Sequence, residues 1–156
     1  MRAQESASPP QLRRATAADR PVVMAMMRHL SPELPPMSED AQVALWQEVA
    51  ANPAITVWLV EEAGIPLGSY TLVIIPGLCH GGAAGSLVES VVVLPEARNR
   101  GIGELMMRHA VATATAAGCY KLALSSNKRR LDAHRFYRRL GFNAHGISFR
   151  LELSHG

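Results

Sequence analysis

Glu96–Ala97–Arg98–Asn99–Arg100–Gly101–Ile102–Gly103 is the stretch on which the reading of this chain turns. An apolar run, Leu87–Val88–Glu89–Ser90–Val91–Val92–Val93, precedes it, and a helical pattern beginning Glu104–Leu105–Met106–Met107–Arg108 follows. The order is strand, glycine turn, helix. Two glycines let the backbone turn tightly and come close to a ligand. A helix that starts there aims its unpaired amide N–H groups and its positive dipole end at the turn. With Arg98 and Arg100 alongside, the turn reads as a site for an anion, a diphosphate above all.

Two better-known glycine loops do not fit. A Walker A loop needs Gly-Lys-Ser/Thr four residues after its first glycine, and the chain has no such run. A dinucleotide fingerprint needs a third glycine where Met106 stands.

Outward from the turn, the remaining elements follow from pattern. Leu12–Ala15 reads as a short edge strand. Thr16 and Asp19 then offer cap chemistry ahead of a helix carrying Val22, Met26 and Leu30 on one face, with Pro21 in its first turn. Ser31–Pro36 breaks the chain, and a second helix with Glu39 and Asp40 in its first turn runs to about Ala51. Ile55–Glu61 and Leu67–Ile75 form a hairpin about Gly64, and Pro76–Gly85 is a loop holding Cys79 and His80. Beyond the glycine helix come a strand at Tyr120–Ser125, a basic loop and a helix ending at Gly141–Phe142. A last strand, Ile147–Leu153, alternates apolar and polar residues. Residues 1–10 are expected to be a flexible leader, and residues 11–156 a single domain.

Composition narrows the function. Apolar residues make up 48% of the 156, enough for a core, and no run approaches the length of a membrane span. Cys79 and Cys119 match neither metal nor redox spacing, so no metal site is expected and a reduced, cytoplasmic setting is. A net charge of +3 suits a small anionic ligand and does not call for nucleic acid. The basic run Lys128–Arg130 also lacks the interleaved aromatics of a single-strand platform.

The turn fits the pattern Arg/Gln-x-x-Gly-x-Gly/Ala through Arg98, Gly101 and Gly103, and so resembles the cofactor loop of the GNAT N-acetyltransferases. The resemblance extends through Val91–Val93, Tyr120–Leu124 and Ala133–Phe142, in the family's order, over most of residues 87–142. Asn127 and Asp132–Tyr137 are similar to the "Asn…Asp-Ala-His-Arg-Phe-Tyr" of small-amine members such as the aminoalkylphosphonate N-acetyltransferases. The fold this implies is α/β: a mixed, mostly antiparallel sheet of six to seven strands. The sheet would splay between Leu87–Val93 and Tyr120–Ser125 and be flanked by about four helices.

The resemblance also implies acetyl-CoA as cosubstrate and a small-molecule amine as acceptor. Backbone groups of Val91 and Val93 would hold pantetheine, and Arg98, Asn99, Arg100, Gly101, Ile102 and Gly103 the pyrophosphate. Asn127 would either bond the cofactor or cap the last helix, and Tyr137 would protonate the leaving thiolate. Glu89 is the candidate base, because alternation with Leu87, Val91 and Val93 sets it in an apolar face where burial raises a carboxyl pKa. Water is the alternative base. A homodimer is expected by likeness to such enzymes, with no nucleic-acid or membrane partner. Competing readings are a non-catalytic acyl-CoA-binding or regulatory module and the acetylation of a protein or peptide amine.

Overall fold

A computed structural model describes residues 8–153, which fall into two compact units, 8–124 and 125–153. Of the expected leader, residues 1–7 lie outside the described part, and residues 8–10 lead straight into the first strand.

The first unit is one sheet of five strands in sequence order: β1 (Gln11–Arg14), β2 (Ile55–Glu62), β3 (Ile65–Ile75), β4 (Gly85–Val93) and β5 (Lys121–Leu124). Its first three pairings are antiparallel and β4–β5 is parallel, so the sheet is mixed and mostly antiparallel. Residue types account for its connections. Ala63 and Gly64, both at positive φ, make a two-residue turn between Glu62 and Ile65, the tight hairpin that right-twisted strands favour. The parallel β4–β5 pair instead needs a crossover, which α3 (Ile102–Ala116) supplies.

The helices lie on both faces. α1 (Arg20–Met27) and α2 (Glu39–Ala51) cover one of them, where Val23 and Met26 pack on Leu59 and Val92 with Trp46 beside them. α3 covers the other, the face of Trp58, Val60, Tyr70, Leu72 and Val88, and buries Ile102, Met106, Met107 and Ala110. The turn ahead of α1 closes on itself: Asp19 accepts from the Thr16 backbone N–H at 2.7 Å and from Arg13 at 2.7 and 2.8 Å. The Arg13 guanidinium, bonded also to Glu61 at 2.9 Å, holds the Asp19 carboxyl far below the usual carboxylate range.

The second unit is built around α4 (Leu131–Arg139). Phe142 N–H bonds the Tyr137 carbonyl at 3.0 Å and Gly141 N–H bonds that of Arg138 at 3.0 Å, the paired closure of a Schellman cap. The strand expected at Ile147–Leu153 is not formed. Residues 143–153 make no regular pairing, so five strands replace the expected six to seven. Alternation shows which face a segment would bury beside a sheet; it does not supply the neighbouring strand.

Candidate active site

The site begins at an irregularity in β4. Thr71 of β3 faces Glu89, and Ser69 faces Val92, so two steps along β3 match three along β4. The extra residue is a β-bulge, with Ser90 at φ +53, a conformation that non-glycine residues rarely adopt. Close pairing continues beyond it because Gly68 has no side chain: a Cβ there would sit 2.6 Å from the Val92 carbonyl oxygen.

The bulge shifts the side-chain phase. Glu89 shares a face with Leu87 and Val92, whereas Val93 joins Val88 on the α3 face. The single apolar stripe Leu87–Glu89–Val91–Val93 expected from strict alternation is therefore corrected. So is its consequence, because Glu89 is exposed rather than buried. What Glu89 gains is place: it sits immediately before the bulge.

β5 pairs with β4 only from Gly85↔Lys121 to Val88↔Leu124. From Glu89 to Val93, then, β4 is paired on its β3 side alone. Val91 and Val93 lie in this half-open segment. An unpaired strand edge presents N–H and C=O groups in a row, which suits an extended ligand carrying amides of its own.

A short 3₁₀ turn, Pro95–Ala97, leads from β4 to the glycine turn. Asn99 at φ +59 and Gly101 at φ +76 both take the left-handed conformation, and Gly101 is the N-cap of α3. Having no side chain, Gly101 caps nothing. Among the described residues, the backbone N–H groups from Asn99 to Glu104 donate to no protein oxygen, and the α3 ladder opens with Leu105 N–H to Gly101 O at 2.9 Å. Six consecutive donors thus stand at the positive end of a fifteen-residue helix. Arg100 is tied to Glu62 at 2.6 Å, while Arg98 reaches only the Val93 carbonyl, at 3.4 Å. Arg98 is therefore the freer cation, and the donor set fits an anion with several oxygens.

A groove of about 390 Å³ lies between α1 and its connection to α2. Val23 and Met26, on the sheet side of α1, pack on Val92, with Leu94 against the same cluster. Met24, Met27, Leu34 and Met37 give the groove an apolar lining, and Arg28 is its one arginine. Arg28 is exposed and has no ion-pair partner among the described residues.

His80 is not brought to this end of the sheet. It precedes β4, whereas the glycine turn follows it, and nine extended residues separate ends by roughly 30 Å. His80 instead stacks on Tyr120 with ring centroids 4.0 Å apart.

In the second unit, Asn127 organises the approach to α4. Its side-chain oxygen accepts from Arg129 N–H at 2.9 Å, and its carbonyl accepts from Arg130 N–H at 2.9 Å and meets His134 Nε2 at 3.0 Å. The N-cap of α4 is Arg130, so Asn127 shapes the preceding turn rather than capping the helix. His134 is half-buried against that turn. Arg129, Arg130 and Arg135 line an open cleft of about 540 Å³. Tyr137 packs edge-on to Phe136 and Phe142 at 5.2 and 5.7 Å. Burial pushes its hydroxyl pKa up, against an opposing effect of Arg130, so the phenol keeps its proton at neutral pH.

A buried polar group that the sequence reading missed lies on the α3 face. The Tyr70 hydroxyl is 2.7 Å from His109 Nδ1, and Trp58 meets the imidazole edge-on at 4.4 Å. Burial lowers the His109 pKa and so favours the neutral ring, which is hydrogen-bonded to the Tyr70 hydroxyl. The signal was available: position 109 falls on the stripe of Ile102 and Met106 at helical spacing, so it faces the sheet.

Residues 23–142 match the acetyltransferase (GNAT) family. A glucosamine 6-phosphate N-acetyltransferase of Trypanosoma brucei brucei is 34% identical over 132 residues, covering 83% of this chain and 86% of that protein. An aminoalkylphosphonate N-acetyltransferase of Salmonella typhimurium is 34% identical over 153 residues, 96% of each chain. A solved structure from Agrobacterium tumefaciens has a TM-score of 0.88 at 31% identity and covers 92% of this chain and 99% of its own.

Proposed function

This chain belongs to the acetyltransferase (GNAT) family and is an acetyl-CoA-dependent N-acetyltransferase, and from that premise we propose that its acceptor is a small primary amine carrying an anionic group. The observation that carries the proposal is Arg28, an exposed cation with no ion-pair partner among the described residues, in a mostly apolar groove on α1, the helix that packs on Val92 of β4. The two relatives point the same way, since their names specify a phosphorylated and a phosphonylated amine. A mostly apolar groove with one cation would orient such a molecule, its anion on Arg28 and its amine left free to react.

Six free amides at the α3 N-terminus and the Arg98 guanidinium would hold the diphosphate of acetyl-CoA, and the open edge at Val91 and Val93 its amide-bearing arm. Acetyl-CoA supplies an activated acyl group whose thioester needs no prior covalent transfer to the protein. The amine nitrogen bonds to the carbonyl carbon, the carbon–sulfur bond breaks, and the electron pair leaves on sulfur. Glu89, exposed at the bulge, or a water molecule takes the proton lost by the nitrogen. Tyr137 gives a proton to the departing thiolate and recovers one from solvent; its raised pKa keeps it in the donating form. Holding both reactants in line supplies up to ~7–11 kcal/mol of the barrier, so few reactive side chains are required.

An acceptor screen tests the assignment. Amines bearing a phosphate or phosphonate are expected to be acetylated with a kcat/KM at least about tenfold above that of their neutral counterparts. Arg28→Ala is expected to remove the preference by raising KM. Equal rates for charged and neutral amines contradict the anionic acceptor and leave the acetyl-CoA chemistry standing.

A further inference from the structure

The chain has seven methionines, and the fold sorts them into two kinds. Met26, Met106 and Met107 are 1, 0 and 1% exposed, sealed between the helices and the sheet. Met1 lies outside the described residues. The other three, Met24, Met27 and Met37, all line the groove between α1 and its connection to α2. Met24 and Met27 are half-buried, and Met37 is 42% exposed. Among the described residues, every methionine with appreciable exposure therefore lies in one place.

Helical spacing does part of the sorting. Val23 and Met26, three residues apart, turn to the sheet and pack on Leu59 and Val92. Met24 and Met27, each one residue further on, line the groove with Met37. Leucine at these three places would give an equally apolar wall. What methionine adds is a thioether sulfur, which a peroxide oxidises to the sulfoxide.

We propose that this groove is a site of reversible oxidation, in which sulfoxide formation at Met24, Met27 and Met37 closes it to the acceptor amine. The sulfur lone pair bonds to one oxygen of hydrogen peroxide and the O–O bond breaks. The proton on the transferred oxygen passes to the departing hydroxide, which leaves as water. Sulfur loses two electrons and the peroxide gains them. Two thiols reverse the step under a sulfoxide reductase, giving back the thioether with a disulfide and water.

The product is polar where the thioether was not. Each sulfoxide oxygen is a strong acceptor, and the groove holds few donors to meet it. Gln42 Nε2 already donates to the Met37 carbonyl at 3.0 Å. Arg28 stands four residues after Met24 on α1, so the two side chains share a side of the helix. A sulfoxide at Met24 would draw the Arg28 guanidinium away from an incoming anion. This effect on the acceptor rests on the groove being its binding site; the selectivity of oxidation does not.

The full chain is treated with hydrogen peroxide and then with dithiothreitol, which returns the free Cys79 and Cys119 to thiols and leaves sulfoxides in place. Peptide mass spectrometry is expected to find sulfoxide at 24, 27 and 37 well before 26, 106 and 107. For the faster acceptor of aminoethylphosphonate and glucosamine 6-phosphate, KM should rise by about tenfold with kcat and the acetyl-CoA dissociation constant unchanged. Methionine sulfoxide reductase with a thiol should restore KM. In the triple variant Met24→Leu, Met27→Leu, Met37→Leu, peroxide should leave KM at its own untreated value; the reductase reversal in wild type carries the same information if that variant does not fold. Sulfoxide spread evenly over the six described methionines overturns the inference, as does full conversion of the three with KM unmoved. Arg28→Ala separates the two failures. A KM raised by Arg28→Ala and not by sulfoxides strikes the inference alone. A KM moved by neither, or acetylation of neither amine, removes the acceptor from the groove and the inference with it.

Discussion

Helices α2 and α3 begin in opposite ways. Ser38 closes the start of α2, its side chain accepting from Ala41 N–H at 3.3 Å, with Glu39 and Asp40 in the first turn facing the positive dipole end. At the start of α3, Gly101 contributes no side chain, two arginines stand in the preceding turn, and the first-turn acid Glu104 is drawn off by Arg108 at 2.7 Å. The backbone demand is the same in both, a first turn of N–H groups without helical acceptors. The sequence meets it internally in α2 and leaves it open in α3. A helix end left open by its own sequence, beside a half-paired strand and a free arginine, suits the diphosphate proposed for it.

If that division holds, variants should separate by what they disturb. The largest effect is expected at Tyr137, proposed as the acid for the leaving thiolate: Tyr137→Phe is expected to lower kcat by about 10²–10⁴-fold. Acetyl-CoA affinity should stay near wild type, and unchanged turnover would remove Tyr137 from the mechanism. Next comes Gly101→Val, which puts a branched side chain at φ +76 and into the path of the diphosphate. Its acetyl-CoA dissociation constant should rise by about a hundredfold or more. Nothing lies within 4 Å of a Cβ at Gly101, and asparagine tolerates that φ. Gly101→Asn should therefore keep the fold and still bind more weakly than wild type, which separates ligand contact from strain.

Ser38→Ala sharpens the contrast from the other side. It should lower the free energy of unfolding by about 0.5–2 kcal/mol and leave the acetyl-CoA dissociation constant unchanged. A binding defect in that variant would mean that the two helix ends are not doing different jobs.

The smallest effect is expected where polar groups are closed within the fold. Burial lowers the His109 pKa from 6.5, so the unfolded chain binds this proton more readily. The sign follows: stability from this group is intact above pH 6.5 and is lost as pH falls toward the depressed native value. His109→Gln, able to accept from Tyr70 without titrating, should flatten that acid limb in thermal melts followed from pH ~8 to ~5.

What the sequence made legible follows from what each signal encodes. Turns and caps are local, so the Arg98–Gly103 turn, the Ser38 start of α2 and the Gly141–Phe142 end of α4 were readable within a few residues. The bulge at Ser90 was not, because alternation within one strand carries no record of the register imposed by β3. The exposure of Glu89 went unforeseen for the same reason. The strand at Ile147–Leu153 failed differently: its pattern is real, but pairing requires a partner that a pattern cannot show. His109 was legible and was overlooked, since its place on the apolar stripe of α3 needed only helical spacing.

We propose that the free amides at the start of α3 are donors to acetyl-CoA. Amide hydrogen exchange resolved by residue, with and without acetyl-CoA, tests it most directly. The amides of Asn99–Glu104 should exchange much more slowly in the complex, while Ala41 at the capped start of α2 should be unaffected. Binding of acetyl-CoA with no change at Asn99–Glu104 would contradict it.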